Sequence, residues 1–237
     1  RELLQNRWTR YVGTGWGGYR VQKRGFLLIL SGPSGAGKNT VLDATRNCCP
    51  NLQYSVSATT RPRRPLEQEG VDYFFLTEAE FERRVQMGEF LEWAEFCGHF
   101  YGTPLAYVDD CLERGQVVVM DIDIEGARQV QAKMPEAIFV FLLPPSMSEL
   151  EDRLRARSTE SDESIQRRLG KALEELKAGI EYDYVIQNDE VARSAAELEA
   201  IITAERCRVR RSEYFEQLKD IVGETGRKIT NDEPTTD

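Results

Sequence analysis

Residues 32–38 pose the first chemical question. Gly32, Pro33, Ser34, Gly35, Ala36, Gly37 and Lys38 form a G-x-x-x-x-G-K pattern between the apolar run Phe26-Leu27-Leu28-Ile29-Leu30 and a stretch of helical character. Glycines in such a loop permit backbone shapes and close approach that a side chain would block. Exposed N–H groups and the start of the following helix then surround an anionic phosphate, and the lysine reaches the β- and γ-phosphates of a nucleoside triphosphate. A Gly-rich turn between strand and helix would explain the glycines, but not the lysine. Asn39 stands where the pattern usually carries Ser or Thr to offer a hydroxyl to Mg²⁺. Its amide oxygen is a poorer ligand, and Thr40 brings a hydroxyl one residue later.

Three further groupings could act on phosphates. Arg61 and Arg64 are three apart in a Pro-containing loop, so they can converge on one phosphate dianion, a task that suits guanidinium forks. On their own they read equally well as a solvated basic loop. Asp121 and Asp123 end the run Val117-Val118-Val119-Met120, and carboxylates at the end of a buried strand are costly unless they meet a cation or a donor. Arg153 and Arg157, four apart, share one helical face, with Arg168 on the next helix; neighbouring acids such as Asp152 and Glu160 also fit an ordinary solvated helix.

The elements that must position these groups follow from pattern. Short apolar runs alternate with longer amphipathic stretches, as in βα units, which makes the chain α/β. Strands are predicted at 26–31, 54–59, 72–76, 117–122, 137–143 and 183–187, and the continuous apolar runs point to a parallel sheet buried on both faces. Thr77 with Glu80 has a capping-box spacing and Gly88 supplies the stop; Pro104 opens a helix ending at Gly115; Ser146 with Glu149 caps another. Further helices are predicted at 161–180 and from about 194 to 222.

Composition limits the remaining possibilities. The 237 residues, 41% hydrophobic and 30% charged, are those of an ordinary globular chain, and the formal net charge of −9 argues against a non-specific nucleic-acid binder. The longest apolar runs are far short of a bilayer span. Five cysteines, with no C-x-x-C pair and only His99 near Cys97, suit thiols in a reducing compartment better than disulfides or a metal site. A cytoplasmic location follows. Residues 1–24 carry five arginines and one lysine against one acid; they read as an upstream extension or as the remnant of an organelle transit peptide.

Several longer segments carry a family resemblance. SVSATTRPRRPLEQEGVDYFF (55–75), GEFLEWAEFCGHFYGTP (88–104), VVVMDIDIEGARQV (117–130), LPPSMSELEDRLRARSTESDESIQRRL (143–169) and EYDYVIQND (181–189) resemble guanylate kinase in that order and spacing, over about residues 25–215. The resemblance implies a P-loop three-layer fold with a parallel central sheet, an inserted GMP-binding segment with short strands, and a helical lid. It divides the chain into a core (25–54, 105–145 and 180–215), a GMP-binding segment (55–104) and a lid (146–179), with 1–24 and 216–237 outside the domain. The implied reaction moves the γ-phosphoryl group of ATP to GMP or dGMP. By resemblance Gly32 to Thr40, Arg153, Arg157 and Asn188 bind ATP, with Lys38, Arg153, Arg157 and Arg168 catalytic. Arg61, Arg64, Tyr73 and Tyr101 hold the GMP phosphate, while Ser57, Glu92, Thr103 and Asp123 form the guanine pocket. Asp121, Asn39 and Thr40 are the expected Mg²⁺ ligands. Four positions depart from the family pattern: Asn39, Thr103 (often Ser), Glu125 (usually Gln) and Ser158 (usually Gly).

Two other functions compete. A catalytically inactive guanylate-kinase-like module that binds phosphopeptides would have lost the loop lysine and lid arginines, which are present. A related small-molecule kinase with another acceptor would lack Arg61, Arg64 or Glu92, also present.

Overall fold

A five-stranded parallel sheet forms the spine of the protein, its three central strands buried on both faces. The computed structural model describes residues 25–46, 49, 52–157, 162–209, 211, 214, 218–219 and 221–222. The chain divides into two units, Lys23–Ser212 and another formed by Arg1–Gln22 with Glu213–Asp237; every element named below belongs to the first. The expected extension 1–24 and nearly all of the tail 216–237 lie outside the described residues.

The first strand, β1 (Phe26–Ser31), is buried at all six positions. Alternation sends Leu28 and Leu30 to one face and Leu27 and Ile29 to the other, and each set joins a separate hydrophobic cluster. The first cluster is covered by α1 (Lys38–Arg46) and α7 (Val191–Arg206); the second by α3 (Leu105–Glu113) and α4 (Ile124–Lys133). A strand enclosed on both sides loses the polar alternation of a half-exposed one, which is why the continuous apolar runs read as a parallel sheet. With β2 (Leu52–Tyr54), β7 (Val117–Asp121), β8 (Ile138–Leu143) and β9 (Tyr184–Gln187), the order is β2-β7-β1-β8-β9, every pair parallel. The three-layer expectation holds.

A second sheet, β4-β3-β6-β5, is built from β3 (Ala58–Thr59), β4 (Phe74–Phe75), β5 (Phe90–Phe96) and β6 (His99–Pro104). It corrects the expected strand at 54–59, which is two strands in two sheets. The Ser55 N–H still bonds Val119 of the main sheet, whereas the Ser57 carbonyl already accepts from Phe74. The strand expected at 72–76 shrinks to β4. The β5–β6 hairpin has no counterpart among the expected strands. Its turn is Cys97-Gly98, with φ of 52° and 76°, and Cys is not among the residues that advertise such a turn. Between β4 and β5 runs α2 (Glu78–Gln86), whose Thr77 cap accepts from the Glu80 N–H at 3.2 Å. Glu80 does not complete the capping box: its carboxylate pairs with Arg83 and Arg84, which hold its pKa down at about 2.

Other boundaries move by less. The helix opened by Pro104 is α3, and Gly115 follows it with φ 76°. Ser146 accepts from Glu149 at 3.0 Å at the start of α5 (Met147–Arg157). The 161–180 helix is α6 (Asp162–Ala178), continued by a 3₁₀ turn at Gly179–Glu181. The helix expected at 194–222 is again helical at residues 218–219 and 221–222, but its main part, α7, starts earlier and stops at Arg206. There the chain turns so that Arg208 and Arg211 both meet the buried Glu205 carboxylate, which also accepts from Tyr184 Oη at 2.6 Å. The helix α4 was not expected; its signal is Asp123, which caps it by accepting from the Gly126 N–H.

The second sheet has a small core of its own. Phe81, 1% exposed, stacks on Phe90 with ring centroids 4.5 Å apart and on Phe100 at 5.5 Å, above Ala58. Replacing Phe81 with Ala empties the middle of that stack and should cost roughly 3–5 kcal/mol. Urea unfolding of Phe81→Ala should show the corresponding fall in midpoint; an unchanged midpoint would contradict this packing.

Candidate active site

The turn from β1 to α1 forms a cradle because the backbone at residues 32–37 bends in ways that need glycine. Gly32 has φ 151°, and a Cβ there would sit 2.4 Å from the Leu142 carbonyl oxygen. Gly37 has φ 95°, and a Cβ would sit 2.4 Å from Asn188 Nδ2. Lys38 opens α1 and folds back over the turn, donating from Nζ to the Gly32 carbonyl at 2.9 Å. Nζ also lies 3.7 Å from Asp121 Oδ1, because β1 and β7 pair with Leu30 opposite Asp121. The Asp121 side chain is 28% exposed; lost hydration pushes its carboxyl above the usual range and the Lys38 ammonium pulls it back. Asn39 and Thr40 are exposed on the first turn of α1.

Three distant segments close on this turn. Asn188, 3% exposed, donates from Nδ2 to the Ala36 carbonyl at 2.6 Å, and its Oδ1 accepts from Ser194 at 3.2 Å. The resemblance placed Asn188 among the ATP-binding residues; its side chain is buried against the loop. Arg153 of α5 donates to the Asn188 carbonyl at 3.1 Å and to the Ala36 carbonyl at 3.5 Å, and Arg168 of α6 donates to Ser34 Oγ at 2.7 Å. The side chain of Arg157, with Ser158 and Glu160, lies outside the described residues.

A second cationic group forms in the other sheet. The Arg61 guanidinium stands over the Tyr73 ring, 5.4 Å from its centroid, and the Tyr101 ring lies 6.1 Å from that of Tyr73. Glu67 completes the group: its Oε1 accepts from Arg61 at 2.7 Å and its Oε2 from the Arg64 N–H at 2.8 Å. Those two bonds, the Arg61 one first, hold its carboxyl below the usual range. Glu67 was absent from the expected site; an acid six residues after Arg61 in a short loop was its only signal. The Arg64 side chain is exposed.

The second sheet also carries a buried carboxylate. Glu92 of β5 is 7% exposed and accepts from Thr103 Oγ1 at 2.7 Å, so the Thr at this position keeps the hydroxyl. Asp123 approaches the same place: a Cβ on Gly126 would lie 3.5 Å from both Asp123 Oδ1 and Glu92 Oε2. Burial pushes the Glu92 carboxyl up, the Thr103 bond opposes this, Asp123 adds to it and Lys133 opposes it. Ser57 is half-buried at the entrance to β3.

A glycine-bent phosphate cradle, a cation–tyrosine group and a buried carboxylate thus lie on one chain, in the order of a family whose profile, guanylate kinase, matches residues 24–205. The chain belongs to the guanylate kinase family. The guanylate kinase of Symbiobacterium thermophilum is 50% identical over 189 residues, which cover 80% of this chain and 90% of that protein. That of Desulfitobacterium hafniense is 46% identical over 196 residues, covering 83% and 98%. The crystal structure of guanylate kinase from Anaplasma phagocytophilum aligns with a TM-score of 0.62 at 34% identity, over 83% of this chain and 94% of that one.

In this member of the guanylate kinase family the Glu125 departure is a solvent-exposed acid. Its side chain is 75% exposed, 3.9 Å from Arg128. Among the described residues no three His, Cys, Asp or Glu side chains are grouped to hold a metal ion, and no helix is long and apolar enough to cross a membrane.

The raised pKa of Glu92 has a definite sign for stability. In the ligand-free protein the folded state binds this proton more tightly than the unfolded state, so Glu92 destabilises the fold at neutral pH, and that cost fades as pH falls through its folded pKa. Thermal melts across pH 4–7.5 should therefore show wild type gaining on Glu92→Gln as the pH is lowered. A constant difference would contradict the burial of this charge.

Proposed function

We propose that this chain transfers the γ-phosphoryl group of ATP to GMP, and to dGMP, giving ADP and GDP or dGDP. The observation that carries this reading is the buried Glu92 carboxylate with Thr103 and Asp123 beside it. Guanine offers N1–H and N2–H₂ to such an acceptor; adenine offers a bare N1 lone pair. Membership of the guanylate kinase family supports the assignment independently.

In this mechanism the loop from Gly32 to Gly37 and the ammonium of Lys38 receive the ATP phosphates. Arg61, Arg64, Tyr73 and Tyr101 hold the GMP phosphate, with Glu67 keeping Arg61 in place. A GMP phosphate oxygen forms the new bond to the γ-phosphorus as the bond to the β-phosphate oxygen breaks, and ADP leaves with that electron pair. Such a reaction needs positioning and charge neutralisation more than covalent help from the protein. Lys38, Arg153 and Arg168 are the groups we assign to neutralise the charge, with Arg157 as an expected partner. Asp121, Asn39 and Thr40 would hold Mg²⁺: one carboxylate with neutral oxygens suits a cation that takes its other ligands from phosphates and water. When bound, the ion offsets phosphate charge and orients the donor. A cytoplasmic location fits the free cysteines Cys97, Cys111 and Cys207.

Two assays test the reading. ADP release measured with GMP and AMP as acceptors should favour GMP by about 10⁴ in kcat/KM, since the wrong base leaves a buried charge without a donor. Comparable turnover of the two would refute the assignment. Lys38→Ala should lower turnover by roughly 10²-fold or more. A near-normal rate would remove the loop lysine from the chemistry and overturn this mechanism.

A further inference from the structure

The second sheet ends at β5, and a strand at a sheet edge leaves backbone N–H and C=O groups without a ladder partner. At Trp93 one side chain takes both. The Trp93 N–H donates to Gln129 Oε1 at 3.1 Å, and Gln129 Nε2 donates to the Trp93 carbonyl at 3.1 Å. The amide of Gln129 thus stands in for a neighbouring strand. One turn further along α4, Lys133 Nζ donates to the Phe90 carbonyl at 2.6 Å. Leu91, fully buried, packs into the cluster that holds Ala127 and Val130 of the same helix. These three contacts bracket Glu92.

They also fall where β5 is least constrained by its own sheet. The β5–β6 register shifts between Phe90 and Trp93, so the ladder is interrupted on the segment that carries the carboxylate. The direction of the backbone there is set by what β5 packs against, and that is α4. The same helix is capped by Asp123, two residues after Asp121. A single rigid element therefore joins the phosphate end of the site to the strand bearing Glu92.

We propose that Gln129 is a positioning residue for guanine recognition: its paired amide bonds to Trp93 fix the backbone from which Glu92 reaches the base. This rests on the proposed reading of Glu92 as the base-contacting carboxylate. The bonds involve no phosphate-binding group, so the effect is confined to the base.

The test compares kcat and KM for GMP and for IMP, whose base lacks only the 2-amino group, at saturating ATP. Gln129→Leu keeps the bulk of the side chain and loses both bonds. It should raise KM for GMP and lower the ratio of GMP to IMP efficiency about five- to tenfold, with KM for ATP unchanged. Gln129→Glu, which keeps the acceptor and loses the donor, should fall between Gln129→Leu and wild type. Glu92→Gln, run beside them, should collapse the ratio. If Glu92→Gln collapses it and Gln129→Leu leaves it intact, or lowers both efficiencies equally, the positioning role is overturned and the base reading stands. If Glu92→Gln leaves the ratio unchanged, the base reading fails and this proposal fails with it.

Discussion

The parallel pairing of β1 with β7 is the constraint on which the rest of the structure depends. Both strands are enclosed on two faces, so their register is set by apolar packing, and a one-residue slip would turn each apolar set onto the wrong layer. That register leaves Asp121 opposite Leu30, just before the chain bends at Gly32. Lys38 then has little choice of partner: its ammonium meets the Gly32 carbonyl and the Asp121 carboxylate together. At these separations, in a partly dehydrated site, a charge pair is worth on the order of a few kcal/mol before desolvation is subtracted. The cradle is thus built by the sheet, and the charges inherit their positions from hydrophobic packing.

The loop is also supported from behind. The Ala36 carbonyl accepts from the buried Asn188 and from Arg153, and Ser34 accepts from Arg168. Arginines read from the sequence as lid residues therefore already touch the loop, Arg153 at a backbone carbonyl and Arg168 at a side-chain hydroxyl. The helices α5 and α6 carry a small core of their own in Leu150, Leu154 and Ala172, and the leucines pack against Gly35. Shape at Gly35 and charge at Arg153 and Arg168 bring α5 and α6 to the same few residues.

Legibility in the sequence followed the range of the interactions. The G-x-x-x-x-G-K turn, the doubly buried strands and the Thr77 and Ser146 caps depend on neighbours within a few residues, and they were readable. The β5–β6 hairpin was not, because Cys97 adopts a left-handed turn that Asn or Asp normally announces. The 54–59 run was misread because the chain leaves one sheet and enters another within three residues, a choice made by Val119 and Phe74 far along the chain. Asn188 and Glu67 show the same limit: a buried amide under a loop and an acid that orients an arginine are defined by partners the pattern does not display. Glu92 drew attention only through family resemblance, since no local pattern marks a carboxylate that will be buried beside Thr103.

The central claim is that one chain holds a triphosphate cradle and a guanine site facing each other. A structure with GMP and a non-hydrolysable ATP analogue tests it most directly. The account predicts guanine N1 and N2 within about 3 Å of the Glu92 carboxylate. It places the GMP phosphate among Arg61, Arg64, Tyr73 and Tyr101, and the triphosphate on the loop beneath Lys38. A guanine ring bound away from Glu92, or a triphosphate that leaves the loop empty, would contradict it.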